Sequence, residues 1–255
     1  MIKKNFLKEK LLSGVPTIGT WVTIPSEVNT EIMSLAGLDF IIIDQEHGPI
    51  SFETAQNMAI SAELHLTSPI MRVGEINKAL FQNALDIGVH GIQIPNVESK
   101  EDVLKIIEFS KYPPLGDRGL SPFTRSGGFN RNNSNMVTSK SNENTLIILN
   151  IEGKGAIENL DEILEISDFD VIFIGLFDLS KSLGIPGEVE DKRVFQALEQ
   201  ITEKTLNAGK IVGTIATSKE SAKKFINLGI SYIVYLVDCD VLRNSYQEIV
   251  EFIKN

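Results

Sequence analysis

The stretch 146–180, LIILNIEGKGAIENLDEILEISDFDVIFIGLFDLS, restricts the possible folds more than any other part of the chain. Two short, almost purely apolar runs, 146–149 and 171–174, flank a segment in which Ile157, Leu160, Ile163, Leu164 and Ile166 recur at helical spacing. Runs this short and this apolar suit parallel strands buried on both faces. Strand, helix, strand is a βαβ unit, whose crossover is right-handed in nearly all cases. One carboxylate follows each strand, Glu152 and Asp178, and the unit brings both to the same sheet edge. Two acids on one edge are placed to share an ion.

The same alternation runs the length of the chain. Strands are predicted at 17–24, 40–44, 69–73, 91–95, 211–216 and 232–237 besides the two above, and helices at 26–35, 55–66, 78–87, 100–109, 192–207 and 219–228. A short amphipathic helix at 6–12 precedes them, another helix follows Asp178 up to the turn at 184–187, and a last one occupies 240–253. Eight strand–helix pairs predict an α/β protein, a single (β/α)8 TIM barrel over residues 1–255 with extra N-terminal and C-terminal helices. The rival, an open doubly wound sheet, lacks its Gly-rich nucleotide fingerprint after any early strand. One segment breaks the pattern: 111–140, KYPPLGDRGLSPFTRSGGFNRNNSNMVTSK, reads as a long functional loop, with 130–135 as a mobile surface excursion and Arg118 and Arg125 as candidates for the barrel mouth.

Charge removes several functions from consideration. A formal net charge of −10, from 24 basic and 34 acidic side chains, argues against nucleic acid or an anionic membrane as partner. It leaves room for a small anion held by one arginine and a metal. The lone Cys239 permits no intrachain disulfide, which fits a reducing compartment. The opening MIKKNFLKEKLLSG has no apolar core of a signal peptide, and no run approaches the roughly 20 apolar residues of a membrane span. The expectation is a cytoplasmic protein.

In such barrels the reactive groups gather where strands end. The second strand ends at Asp44, followed by Gln45-Glu46-His47-Gly48-Pro49; the third ends at Arg72; the fifth at Asn150-Ile151-Glu152; and Asp178 follows the sixth. The opposite rim offers only Lys210 and scattered surface charges. Glu152 and Asp178 suit a hard divalent cation, Mg²⁺, Mn²⁺ or Co²⁺, with its remaining positions left to water and substrate. The competing readings are an ion pair of Glu152 with Lys154 and a helix cap for Asp178. His47 with Asp44 is a candidate general base, the acid setting the imidazole tautomer. Arg72 requires an anion, either a substrate oxygen or Asp44. His65 and His90 fall at turns away from this rim and read as structural. A Schiff-base mechanism needs a buried lysine, and only Lys154 is near. Cation-assisted enolate chemistry on a 2-oxo acid is the better fit.

Together, Asp44-Gln45-Glu46-His47-Gly48, Met71-Arg72, Tyr112-Pro113-Pro114-Leu115-Gly116-Asp117-Arg118-Gly119, Ile151-Glu152 and Phe173-Ile174-Gly175-Leu176-Phe177-Asp178-Leu179-Ser180 resemble the HpcH/HpaI aldolase family, in order, from about residue 19 to 237. The resemblance implies a barrel that cleaves 4-hydroxy-2-oxo acids, such as 2-keto-3-deoxy sugar acids, reversibly to pyruvate and an aldehyde through a metal-bound enolate. It implies metal ligation by Glu152 and Asp178, an Arg72 contact to the pyruvyl oxygen, and proton transfer by His47 with Asp44. Trp21 matches an aromatic position lining the pocket; Asn150 and the Gly175-Leu176-Phe177 turn match positions facing the substrate. A homo-oligomer, a hexamer built as a trimer of dimers with the last helix packed on a neighbouring barrel, is also implied. Three positions depart from the family pattern: Asn150 replaces a common Gln, Leu176-Phe177 replaces a Pro-small pair, and Val73-Gly74-Glu75 replaces a Pro-containing segment. Two alternatives share parts of this picture. One is a related oxo-acid lyase, an oxaloacetate decarboxylase or citramalyl-type lyase; the other is a barrel that binds an oxo acid without turning it over.

Overall fold

Eight parallel strands, β1 (Thr17–Val22), β2 (Phe40–Asp44), β3 (Ser68–Arg72), β4 (Gly91–Ile94), β5 (Leu146–Ile151), β6 (Val171–Ile174), β7 (Ile211–Ala216) and β8 (Tyr232–Val237), close into one barrel in chain order. The structure is a computed structural model describing residues 4–254, so the first three residues and the last lie outside it. Closure pairs Thr17 with Tyr232 and Gly19 with Val234, and the register shifts between Gly19 and Trp21. The strands carry no polar alternation because both faces are covered, by the barrel interior and by the helices.

Large rings fill the interior. Phe40 stacks on Tyr232 at 4.1 Å between centroids, while Phe173 meets Trp21 edge-on at 5.2 Å and Tyr232 at 6.2 Å. Such pairs add about 0.5–1.5 kcal/mol each beyond their buried area. Gly19 makes the stack possible, since a Cβ there would lie 2.4 Å from Phe40 Cδ2.

The helices are α1 (Phe6–Leu12), α2 (Glu27–Leu35), α3 (Phe52–Leu64), α4 (Lys78–Asp86), α5 (Lys100–Ser110), α6 (Ser134–Asn144), α7 (Lys154–Glu158), α8 (Leu160–Leu164), α9 (Leu176–Ser182), α10 (Lys192–Asn207), α11 (Lys219–Asn227) and α12 (Asp238–Lys254). Side chains of Ser26, Ser51, Asn77, Ser99 and Ser218 accept backbone N–H groups at the starts of α2, α3, α4, α5 and α11. Each cap contributes about 1 kcal/mol and fixes where the chain turns after a strand. Along α10, Val194, Leu198, Ile201 and Thr205 form the buried face. Helix α12 buries only Asp238, and its Leu242, Tyr246, Ile249, Phe252 and Ile253 lie exposed. No helix among the described residues is long and apolar enough to cross a membrane.

The sequence-based expectations fail in three places. The helix expected across 157–166 is two short ones, α7 and α8, separated at Asn159. The 130–135 excursion is instead a 3-10 turn (Arg131–Asn133) that leads into α6. Arg118 and Arg125 are nowhere near the mouth. Arg118 Nη2 donates to Asp86 Oδ1 at 2.8 Å, at the end of α4, and its guanidinium lies 4.7 Å from the Tyr112 ring. Arg125 Nη1 donates to Ile87 O at 3.0 Å and Gly88 O at 3.1 Å, and its Nη2 pairs with Glu63. The reason is topological: a connection from a helix end to a strand start lies on the rim opposite the strand ends. That rim is far richer in charge than expected. His90 Nε2 stands 3.0 Å from Glu63 Oε1, Lys8 Nζ 2.8 Å from Asp170, and α1 is fastened across it by Asn5 Nδ2, which donates to His90 O at 2.9 Å and Asn144 O at 2.8 Å.

Candidate functional site at the strand C-termini

Parallel register brings the first pair of groups together. Asp44 on β2 lies opposite Arg72 on β3, so both side chains point to the same face. Arg72 Nε donates to Asp44 Oδ1 at 2.9 Å and Nη2 to Asp44 Oδ2 at 2.7 Å, a two-pronged ion pair in a buried setting. The third nitrogen, Nη1, reaches Glu46 Oε2 at 2.9 Å. The guanidinium carbon stands 4.8 Å from the Trp21 ring centroid, so the aromatic face covers one side of the charge. Trp21 Nε1 is buried without a hydrogen-bond acceptor.

Asp44 therefore does not orient the His47 ring as expected. Its carboxylate is taken by Arg72 and by the backbone N–H groups of Glu46 at 3.0 Å and His47 at 3.4 Å. The His47 imidazole projects outward, 69% exposed, and its nearest acid is Glu46 at 3.8 Å. Glu46 is the residue the sequence reading passed over, although it sits between two residues that were singled out. Burial pushes its carboxyl above the ordinary 4.5, against the pull of Arg72 and His47, and the charges of Asp44 and Asp178 add to the rise.

The second group surrounds Glu152, just past β5. Its Oε1 accepts the Asn96 N–H at 3.0 Å, and Asn150 Nδ2 approaches its Oε2 at 3.4 Å. Asn150 Oδ1 in turn accepts from Gln93 Nε2 at 2.9 Å, across β4 and β5. Burial raises the Glu152 carboxyl above 4.5; the Asn96 N–H lowers it, while the charges of Asp178 and Glu46 raise it further. Gly175 leaves room for this carboxylate, because a Cβ there would lie 2.5 Å from Glu152 Oε2. Lys154 makes no pair with Glu152. It is 80% exposed and reaches Glu158 at 3.6 Å, which also removes the desolvation a Schiff-base lysine needs.

Asp178 is not a helix cap. Helix α9 begins at Leu176 after Gly175, so Asp178 stands in its first turn, 55% exposed, with Lys181 Nζ at 3.8 Å. Leu176 turns inward and Phe177 stays 51% exposed. Among the described residues no three His, Cys, Asp or Glu side chains are gathered for a metal ion. A cation held by Glu152 and Asp178 would have two protein carboxylates as ligands, a donor set that suits a hard ion shared with substrate. His65 and His90 belong to the opposite end, against Glu31 and Glu63.

Comparison with known proteins places this fold among known relatives. The family model for HpcH/HpaI aldolase/citrate lyase matches residues 17–245. A 2-keto-3-deoxy-L-rhamnonate aldolase of Salmonella gallinarum is 32% identical over 235 residues, covering 92% of this chain and 87% of that protein. Among solved structures, the citrate synthase SbnG superposes with a TM-score of 0.89 at 28% identity, covering 97% of both chains. An HpcH/HpaI aldolase from Desulfitobacterium hafniense DCB-2 superposes with a TM-score of 0.92 at 28% identity, covering 98% of this chain and 97% of that one.

Proposed function

The chain belongs to the HpcH/HpaI aldolase/citrate lyase family, and we propose that Arg72, Glu152, Asp178 and His47 carry its aldol chemistry as one catalytic unit spanning residues 1–255. The reaction is reversible cleavage of a 4-hydroxy-2-oxo acid to pyruvate and an aldehyde, with a divalent cation as cofactor. A 2-keto-3-deoxy sugar acid is the substrate class, in line with the name of the Salmonella relative. The observation that carries this reading is the concentration of acids around one buried arginine at a single rim.

Glu152 and Asp178 fit a hard cation. Both are oxygen donors, Glu152 is buried with its ionised form disfavoured, and Asp178 and Glu46 deepen the deficit of positive charge. Mg²⁺ or Mn²⁺ is the proposed ion, with Co²⁺ compatible. When bound it supplies Lewis acidity at the 2-oxo group. The protein's own residues do the rest. Arg72 donates N–H groups toward the oxygen that becomes negative as C3 turns nucleophilic, and Asp44 holds the guanidinium at the required angle from behind. Trp21 keeps that guanidinium dry on one face. Glu46 pairs with Nη1 and yields it to the substrate. His47, exposed at the rim, takes the proton of the substrate hydroxyl during cleavage and returns it during condensation. Asn150 and the Gly175-Leu176-Phe177 turn line the pyruvyl end, and Phe177 narrows the approach for the aldehyde.

Two further parts of the proposal concern setting. The exposed apolar side of α12 supports a homo-oligomer, a trimer of dimers in which this helix packs on a neighbouring barrel. The single free thiol of Cys239 suits a cytoplasmic setting.

The test needs no knowledge of the aldehyde. Pyruvate is incubated with the protein in D₂O and its methyl signal followed by proton NMR, with Mg²⁺ or Mn²⁺, with chelator, and with Glu152→Ala. Loss of the signal that requires the cation and Glu152 supports the reading. A methyl signal that persists under every cation removes pyruvate as the nucleophile.

A further inference from the structure

Gln93 is an amide inside a four-residue strand whose other members are glycine and isoleucine, and it is completely buried. In register it stands between Arg72 on β3 and Ile148 on β5, facing the barrel interior. We propose that Gln93 is a positioning residue for the Glu152 carboxylate, acting through Asn150. The proposal rests on the reading that Glu152 holds the cation.

The polarity of this chain of groups follows from the carboxylate. An ionised carboxylate only accepts hydrogen bonds, so Asn150 must face Glu152 with its NH₂ group. That turns the Asn150 carbonyl oxygen toward Gln93, which can answer only with its own NH₂, as the 2.9 Å contact shows. Both amide orientations are thereby dictated by Glu152 rather than by an arbitrary assignment of nitrogen and oxygen. The series ends at Gln93 Oε1, a buried acceptor with no partner. An unpartnered buried acceptor is costly, and a leucine would fill the same space without one. What leucine cannot do is hold Asn150. Asn150 is a short side chain, and without the Gln93 donor nothing anchors its carbonyl end, so the amide can swing its NH₂ group away from Glu152. The carboxylate would then keep only the Asn96 N–H as a fixed partner.

Partners of a metal ligand orient it, and their removal commonly weakens metal affinity or activity about ten- to a hundredfold. The experiment reads binding rather than turnover. Metal-free wild type, Gln93→Met, Asn150→Ala and the double variant are titrated with Mn²⁺, and free Mn²⁺ is followed by its EPR signal. Melting of each metal-free protein checks folding, and Gln93→Leu stands in if Gln93→Met melts early. The expected result is an Mn²⁺ Kd about tenfold or more weaker for Gln93→Met, with kcat for the substrate falling less than the apparent metal affinity. In the Asn150→Ala background, Gln93→Met should change nothing further, because the residue it acts through is gone. Unchanged Mn²⁺ affinity in both Gln93 variants, or additive losses in the double variant, overturns the proposal while leaving the aldolase reading intact. Absence of Mn²⁺ binding by wild type, or binding that survives Glu152→Ala, overturns the assigned metal ligands and this proposal together.

Discussion

The two rims of the barrel both bury arginine against acid, yet they leave charge in different states. At the N-terminal rim most charges meet one of opposite sign: Arg118 sits on Asp86, Arg125 spans Glu63 and two carbonyls at the end of α4, His90 meets Glu63, and Lys8 meets Asp170. Glu63, His90, Arg118 and Arg125 line a cavity of about 340 Å³ there, the two arginines tying the 111–130 segment to the barrel floor, and Asn5 fastens α1 to the same floor. At the C-terminal rim Arg72 faces Asp44 and Glu46 at once, while Glu152 and Asp178 have no arginine of their own. Burial and mutual repulsion hold Glu46 and Glu152 above their ordinary range there. Paired charge fixes a structure; charge left in excess of one sign waits for a ligand of the other.

Exchanging arginines between activity and stability assays would break this contrast or sharpen it. Arg72→Met should lower kcat/KM by about 10²–10³ or more, the usual cost of a lost oxyanion donor, as read from steady-state cleavage rates. Arg118→Met should do the reverse. It leaves Asp86 without its guanidinium and should cost about 3 kcal/mol in urea unfolding, with kcat nearly unchanged in the molecules that remain folded.

A smaller effect follows from the acids. A carboxyl whose folded pKa is raised favours the folded state only while protonated. Metal-free stability should therefore fall as pH climbs from 4.5 through the raised values of Glu46 and Glu152. Added Mn²⁺ should offset that loss, so the melting temperatures with and without Mn²⁺ should differ by a few degrees more at pH 8 than at pH 5. Equal gaps at both pH values would mean that Glu152 does not hold the ion. Smaller still, as a change to the barrel itself, is Phe252→Glu with Ile249→Glu on α12. Light scattering should report a lower assembly mass, while the far-UV spectrum of the chain stays the same. Least of all, Lys154→Ala should change kcat by less than about twofold, since this lysine is solvated and paired only with Glu158.

Much of this contrast is legible in the sequence, and the parts that are not have physical reasons. The strands announce themselves because a parallel strand covered on both sides has little room for polar residues, and β2, β6, β7 and β8 start and stop where their apolar runs do. Asp44, Arg72 and Glu152 stand out for ending such runs. Helix α6 does not, because SNMVTSKSNEN has no apolar stripe and Val137 is its one large aliphatic residue in the core. Its position comes from tertiary bonds such as the pair between Asn142 and Tyr112, which no local pattern encodes. The misplacement of Arg118 and Arg125 was avoidable, since their position between a helix and the next strand already assigns them to the N-terminal rim. Gln93 also had a signal, a lone amide within Gly91–Ile94. Glu46 was hidden by its neighbours, because Asp44 and His47 suggested a dyad that the two-pronged grip of Arg72 on Asp44 forecloses.

The pairing of Thr17 with Tyr232 has a consequence in time. The chain leaves the ribosome first strand first, and the partner that covers one edge of β1 emerges more than two hundred residues later. Until then both ends of a growing parallel sheet are open, each able to accept a strand from another chain. Loop closure over such a separation is entropically slow, so the interval of vulnerability is long. For a nascent chain the hazard therefore lies in the interval before the ring shuts, and the finished barrel has no edge left to betray it.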